Sequence, residues 1–378
     1  MKYIYATASN IISPLGYNTA SNYNASAKGN TSITLQRDHR KLPLAFYASL
    51  METELLNQNF ATLANPKGYT RLEKMMMLSI AETLSQQDIE INERTALIIS
   101  TTKGNIDVLE KDSPFDKERV HLSSLAGKIQ EFFKFPHEPI VVSNACVSGI
   151  LAVAVAKRLI MAGTYDNAVI VAGDIISQFT LSGFYSFQAL SHNPCKPYSK
   201  YRDGISLGEA AASLVVTSTG NAKNSIKIVG DASCNDANHI SGPSRTGEGL
   251  FKSITRALDD AGLQANDIDY ISAHGTATIF NDEMEGIALN RCNMTHVPLN
   301  SFKGIYGHTL GASGLLEAIL GLEAMKNDEV LASVGYDEPG VSKPINVIKE
   351  NKKVSIDNFL KTASGFGGCN TAVIFQKA

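Results

Sequence analysis

The stretch Val141-Val-Ser-Asn-Ala-Cys146-Val-Ser-Gly149 decides how the chain is read, because an apolar run stops there at a cysteine and a small-residue helix begins. Residues 139–143 have the length and β-branching of a buried strand, and 150–161 are apolar or small nearly all round, as a buried helix is. A thiol in the turn between them feels the positive end of the helix macrodipole, which favours thiolate over thiol. Ala145, Ser148 and Gly149 keep the surroundings small, so a substrate carbonyl has room to approach a backbone N–H. A lone cysteine in an apolar segment is more often inert core, so other residues must decide.

Working outward, 95–100 (TALIIS) and 167–172 (NAVIVA) are continuous apolar runs that predict strands buried on both faces. With 139–143 and the helices between, they predict parallel pairing in an α/β layer structure. Residues 3–8 read as a first strand, 70–86 as a helix, and 104–111 and 119–134 as helical segments. Residues 17–68 give only a loose assignment, and 177–203 read as a looser region. Its aromatics Phe184, Tyr185 and Phe187 either line a pocket or fill a satellite core. Downstream, 226–230 begins a strand, 247–261 a helix, and 268–273 a strand that stops at His274.

A length of 378 residues exceeds the usual single core, so two halves are expected. Ser148-Gly149 and Ser313-Gly314 both open an apolar helix, an echo that suggests duplication. The boundary falls in the polar, turn-like 221–224, giving halves 1–220 and 221–378. Hydrophobic residues at 44%, charged residues at 19% and a net charge of -3 describe a compact soluble chain with no basic footprint for nucleic acid. Five scattered cysteines fit a reducing compartment and show no metal-ligand spacing. With no leader-like or membrane-spanning apolar segment, a cytoplasmic location is expected.

His274 opens HGTATIFND, directly after an apolar strand, with the hydroxyls of Thr276 and Thr278 beside it. His308 lies in the glycine-broken SFKGIYGHTLGASG. Each histidine alone is a weak signal. One Cys and two His at strand ends fit thioester chemistry, in which a thiolate holds an acyl group and two imidazole N–H groups bond an enolate oxygen. Glu317 sits in an apolar helix that demands a cation for its carboxylate, and Lys303 is the nearest upstream one; a solvent-facing Glu and an unrelated Lys are the plainer alternative. Ser364-Gly-Phe-Gly-Gly-Cys-Asn370 separates strands 361–363 and 371–375 and has Asn370 where a dinucleotide fingerprint needs its last glycine. NAD and ATP are therefore not implied.

Taken together, ACVSG at 145–149, FQALS at 187–191, KPYSKYRDGISLGEAAA at 196–212, NHISGPSRTGEG at 238–249, HGTATIFND at 274–282, KGIYGHTLGASG at 303–314 and GFGGCN at 365–370 resemble the β-ketoacyl-acyl-carrier-protein synthases. The resemblance implies a thiolase-like fold, two similar α/β halves packed as five layers αβαβα. It implies a Cys146-His274-His308 site supported by a Lys303–Glu317 ion pair, with no cofactor and no metal. It further implies an oxyanion hole from the N–H groups of Cys146 and Phe366, Phe366 as a gate, and Thr276 and Thr278 against pantetheine. The implied reaction is decarboxylating condensation of an acyl thioester with malonyl carrier protein. Implied partners are acyl carrier protein and a second subunit, identical or a related synthase. A chain-length subunit for another synthase and a CoA-dependent thiolase are the alternatives. Val147, Tyr198-Ser199 and Ala210 depart from the family's usual ACSSG, Phe-Asp and glycine. These departures leave fatty acid, polyene and polyketide assembly open as the pathway.

Overall fold

The computed structural model describes residues 3–219 and 225–378, and its ten main strands form one mixed sheet. In chain order they are β1 (Tyr5–Ile12), β2 (Thr95–Ser100), β3 (Ile140–Val142), β4 (Asn167–Asp174), β5 (Ala210–Thr217), β6 (Ile226–Asn235), β7 (Tyr270–Ser272), β8 (Leu299–Asn300), β9 (Asn358–Gly365) and β10 (Cys369–Lys377). Across the sheet they run β8-β7-β9-β10-β6-β1-β5-β4-β2-β3. In the first half β3, β2 and β4 are parallel neighbours, while β4, β5 and β1 pair antiparallel. In the second half β8, β7 and β9 are parallel, and β9, β10 and β6 antiparallel. The order and sense of five strands are thus used twice. The two sets join where Tyr5 and Ala6 pair with Lys227 and Ile226.

The helices that matter here are α1 (Arg71–Ser85), α2 (Leu122–Phe133), α3 (Ser148–Met161), α4 (Gln178–Ser186), α5 (Glu248–Ala261), α6 (Ile279–Arg291) and α7 (Ser313–Asn327). α1 covers the outer face of β1, β4 and β5, and α5, with α6 packed beside it, covers the far side of β6 and β10. Between the two sets of strands lie α3 and α7, packed on each other and on strands of both halves. This is a five-layer thiolase-like αβαβα structure. Alternation along β2 shows why its sequence is apolar throughout: Leu97 and Ile99 enter the outer core with Met75 and Met76, while Ala96 and Ile98 enter the central core with Ile150 and Leu315. Each fully buried Leu or Ile there adds about 1.5–3 kcal/mol relative to exposure.

The Ser-Gly echo is a physical contact. A Cβ on Gly149 would meet the Gly311 carbonyl oxygen at 2.7 Å, and one on Gly314 would meet the Ile150 nitrogen at 2.7 Å. The N-terminal turns of α3 and α7 therefore approach backbone to backbone, which only glycine permits.

Several elements differ from the sequence expectation. Residues 104–111 contain a short 3₁₀ turn, Ile106–Leu109, and no α-helix, and Gly104 ahead of it takes φ +56°. The loosely assigned 17–68 holds helices Thr19–Ala27 and Thr53–Phe60 and two short strands. α4 lies in the supposedly looser region; its capping box joins Ser177 to Thr180 where a Glu or Gln is the usual signal. Within that region Phe184 belongs to a satellite core with Phe46 and Ile176 and also lines a pocket. The boundary expected at 221–224 lies outside the described residues. Among the described residues no helix is long and apolar enough to cross a membrane.

Candidate active site

Cys146 sits four residues beyond the end of β3 and two before α3. Ala145 is held at φ +44°, a left-handed conformation that turns the chain sharply. Ser148 clamps this turn, its Oγ accepting from Asn144 N at 2.8 Å and donating to Ala145 O at 2.6 Å. The hairpin between β9 and β10 closes over it so tightly that a Cβ on Gly365 would lie 3.0 Å from Cys146 N. The sequence argument favoured thiolate, and the structure corrects it. Burial pushes the Cys146 thiol up to about 12, against weaker downward pulls from the Lys103 and Lys303 ammoniums. A helix terminus contributes about 0.3–1 kcal/mol, less than the ~1.4 kcal/mol of one pKa unit, whereas burial moves a pKa by several units.

His274 follows β7, as expected, and is fixed through its backbone. Its N–H donates to Glu285 Oε1 at 2.7 Å, and Gly275 N–H donates to Glu285 Oε2 at 2.6 Å. Thr276 and Ala277 N–H donate to Asp282 Oδ1 at 3.0 and 3.2 Å. Two acids on the first turns of α6 thus hold the whole loop, and Tyr198 binds both, through its N–H to Asp282 (2.7 Å) and its hydroxyl to Glu285 (2.9 Å). That hydroxyl is what Tyr198 adds where the family pattern has Phe. Burial, then the neighbouring Glu285, pushes the Asp282 carboxyl up to about 7. His308 does not end a strand. It follows the short helix Lys303–Tyr306 and is held by its N–H to Ser206 O at 2.7 Å.

The three side chains meet. Cys146 Sγ and a ring nitrogen of each histidine lie within 4.8 Å of one another, and the two rings are edge to face with centroids 5.1 Å apart. Leu310 N–H donates to His308 Nδ1 at 3.1 Å, so that nitrogen is an acceptor and the proton is assigned to Nε2. His308 Nε2 is buried and has no protein partner among the described residues. Lys303 Nζ lies 3.3 Å from His274 Nδ1, which by the same logic puts that ring's proton on Nε2. Burial, then Lys303, holds both imidazoles well below the usual histidine range, so both are neutral at pH 7. A Cys-His-His triplet is also a metal-ligand set, but with Nδ1 engaged and Nε2 protonated neither imidazole offers a free lone pair.

Beneath His274, Glu317 is 2% exposed and accepts from Lys303 Nζ at 2.7 Å on Oε1. Lys361 Nζ donates to its Oε2, also at 2.7 Å. The sequence reading missed Lys361. It also gave no role to Asp174, Asp282 or Glu285. Asp174 is buried at the end of β4 and accepts from Thr101 Oγ1 (2.9 Å), Thr102 N and Gly311 N, tying the loop after β2 to the start of α7. The signal for Asp174 was an acid closing a strand that is apolar to its end.

A cavity of about 360 Å³ opens over the triplet. Thr276 and Thr278 line it, their hydroxyls 2.8 Å apart. Phe366 stands at the rim, 37% exposed, with its ring 5.7 Å from Phe184 and 5.4 Å from Phe187.

Residues 64–222 match the beta-ketoacyl synthase N-terminal domain and residues 226–337 the C-terminal domain. The 3-oxoacyl-[acyl-carrier-protein] synthase 2 of Staphylococcus aureus (strain COL) is 27% identical, covering 100% of this chain and 98% of its own. Two solved structures share the fold. The ketosynthase ApeO, in complex with its chain length factor ApeC, from Xenorhabdus doucetiae superposes with a TM-score of 0.89 at 24% identity, covering 100% of this chain and 98% of that chain. A beta-ketoacyl synthase from Burkholderia phymatum STM815 gives 0.88 at 23%, with both chains covered in full. With both of its domains matched in order and the fold shared from end to end, the chain belongs to the β-ketoacyl synthase family.

Proposed function

We propose that the chain is a 3-oxoacyl-[acyl-carrier-protein] synthase that condenses an acyl thioester with malonyl carrier protein, with loss of CO2. The observation that carries this reading is the convergence of one buried sulfur and two neutral Nε2–H donors on the floor of one cavity. The Cys146 sulfur attacks the acyl thioester, and the thiol proton leaves on the carrier's pantetheine sulfur. Malonyl carrier protein then loses CO2, and the carboxylate charge becomes an enolate held by Nε2–H of His274 and His308. The enolate carbon attacks the acyl-cysteine carbonyl, and the charge ends on the Cys146 sulfur. Each turnover therefore leaves a Cys146 thiolate, which burial disfavours, and uptake of one proton from solvent returns it to the resting thiol.

Neutral imidazoles suit this role because a donor must bond the enolate without protonating its carbon. Gly365 against Cys146 N supports the N–H groups of Cys146 and Phe366 as the oxyanion pair. Lys303 and Glu317 act as support for His274, Phe366 as a gate, and Thr276 and Thr278 as contacts for pantetheine along the cavity wall. The two halves are assigned to 1–220 and 221–378. We assign a cytoplasmic location and a dimer, homodimeric or with a related synthase, through the open edge strand β3. The chain-length-subunit reading draws on the ApeO–ApeC pairing, but a subunit that only shapes a pocket has no use for a sulfur between two donors.

The test is product formation. Wild-type protein with acyl and malonyl carrier protein is expected to give a 3-oxoacyl product two carbons longer, through an acyl adduct on Cys146 seen by mass spectrometry. Cys146→Gln should form no adduct and no product. A folded wild type that is never acylated by any carrier-bound donor sinks the proposal, and acceptance of acetyl-CoA in place of malonyl carrier protein would favour a thiolase.

A further inference from the structure

Below His274 lies a cage that this chemistry does not itself use. The ammonium of Lys361, on β9, is fully buried and donates to Glu317 Oε2 at 2.7 Å, Thr362 O at 2.8 Å and Ser272 O at 3.2 Å, with Ala273 O at 3.4 Å. Every partner is an oxygen, and three are backbone carbonyls. The spacings exceed the roughly 2.0–2.6 Å of magnesium or calcium to oxygen. They suit a large monovalent cation whose hydration shell carbonyl oxygens replace. Two of the carbonyls belong to the strand end that carries His274. The carboxylate is shared with Lys303, whose Nζ reaches His274 O at 2.6 Å and Nδ1 at 3.3 Å. Two ammoniums on one carboxylate leave one positive charge in excess beneath two neutral imidazoles, where the enolate's negative charge is to develop.

We propose that Lys361 is a tethered monovalent cation, a positioning residue that locks Glu317 and through it holds Lys303 and the Nδ1 edge of His274. The proposal rests on the condensing-enzyme reading for its consequence in rate, and on the cage alone for its consequence in ion binding. Lys361→Met keeps the apolar stem and removes the charge. Lys361→Ala removes both and leaves space for a free ion.

The experiment compares wild type, Lys361→Met and Lys361→Ala in tetramethylammonium chloride, whose cation is too bulky to enter, and then with potassium or ammonium chloride at equal ionic strength. Three quantities are read: decarboxylation of malonyl carrier protein, alkylation of Cys146 by iodoacetamide, and melting temperature. Both variants are expected to lose about 10- to 100-fold in decarboxylation, as removal of an orienting partner does. Cys146 alkylation should change little, and potassium or ammonium should restore much of the rate to Lys361→Ala but none to Lys361→Met. Full decarboxylation by Lys361→Met, or an Ala variant that neither ion restores, overturns the proposal. Should the wild type itself not decarboxylate, the functional reading falls and the cage is judged by melting temperature. Potassium or ammonium must then raise that of Lys361→Ala and leave the other two unchanged, or the cage proposal falls too. If Lys361→Ala does not fold in tetramethylammonium, recovery of folded protein with either ion supports the proposal and failure to recover overturns it.

Discussion

Replacing Glu317 by Gln tests how this site is held together. The exchange is nearly isosteric, so packing in the central layer is kept, but it leaves the ammoniums of Lys303 and Lys361 facing a neutral amide where each had a carboxylate oxygen at 2.7 Å. Breaking one buried ion pair costs about 3–5 kcal/mol, and here one anion serves two cations, so the upper part of that range is expected at pH 7. Against a typical stability of about 5–15 kcal/mol this is a large share. The variant can relieve the strain by releasing a proton, and Lys361 is the group to lose it, since burial already pulls its ammonium below the ordinary lysine value. The folded variant then binds fewer protons than the unfolded chain, whose lysines titrate near ~10.4, and stability rises with pH wherever that holds. The deficit relative to wild type should therefore be full at neutral pH and shrink as pH climbs toward about 10. Urea denaturation of both proteins at a series of pH values measures this directly. A Gln variant within about 1 kcal/mol of wild type at pH 7, or a deficit that runs parallel at all pH, would refute the reasoning.

Gly314→Ala should cost about 1–3 kcal/mol and lower condensation more than its stability loss explains, because its Cβ must push away Ile150 N on the helix that follows Cys146; thermal melts and steady-state rates check it. The Asp282 carboxyl, pushed up to about 7 when folded and near ~3.9 when unfolded, binds its proton more tightly in the folded chain, so its contribution to stability is full below about pH 4 and is lost as pH rises through 7. Amide exchange at Thr276 and Ala277 should quicken over that window, and Asp282→Asn should flatten the dependence. Alkylation of Cys146 by iodoacetamide should be slow at pH 7 and rise steeply with pH, as for a thiol pushed up to about 12. Phe366→Ala should speed it severalfold by opening the rim between Phe184 and Phe187, as peptide mass mapping would show.

How much of this was legible in the sequence follows from how local each signal is. The apolar runs of β2 and β4 announced parallel strands because burial on both faces leaves no polar alternation to mislead. Glu317 raised the question of a cation because it stands inside the apolar run Leu315–Leu320, yet a solvent-facing carboxylate was the plainer alternative, and only the fold decides for burial. Lys361 gave no such sign. It stands between Leu360 and Thr362, where one lysine reads as a strand end, and its partner is 44 residues away. Asp282 and Glu285 received no role from the sequence, because nothing local separates them from solvated helix acids, and only the fold reveals that the His274 loop hangs its N–H groups from them. The thiol was misjudged for the same reason: a helix start is visible in a sequence, and the depth at which it is buried is not.

The duplicated topology explains why the site lies where it does. One copy delivers Cys146 just ahead of α3, and the other delivers His308 just ahead of α7 and Glu317 within it. These two helices form the middle layer, and their approach is set by Gly149 and Gly314 meeting backbone to backbone. The contact that assembles the two halves is therefore also the one that sets the distance from sulfur to imidazole. A change that loosens the central layer must move the reacting groups apart, so stability and chemistry are coupled through a contact with no room for even a methyl group.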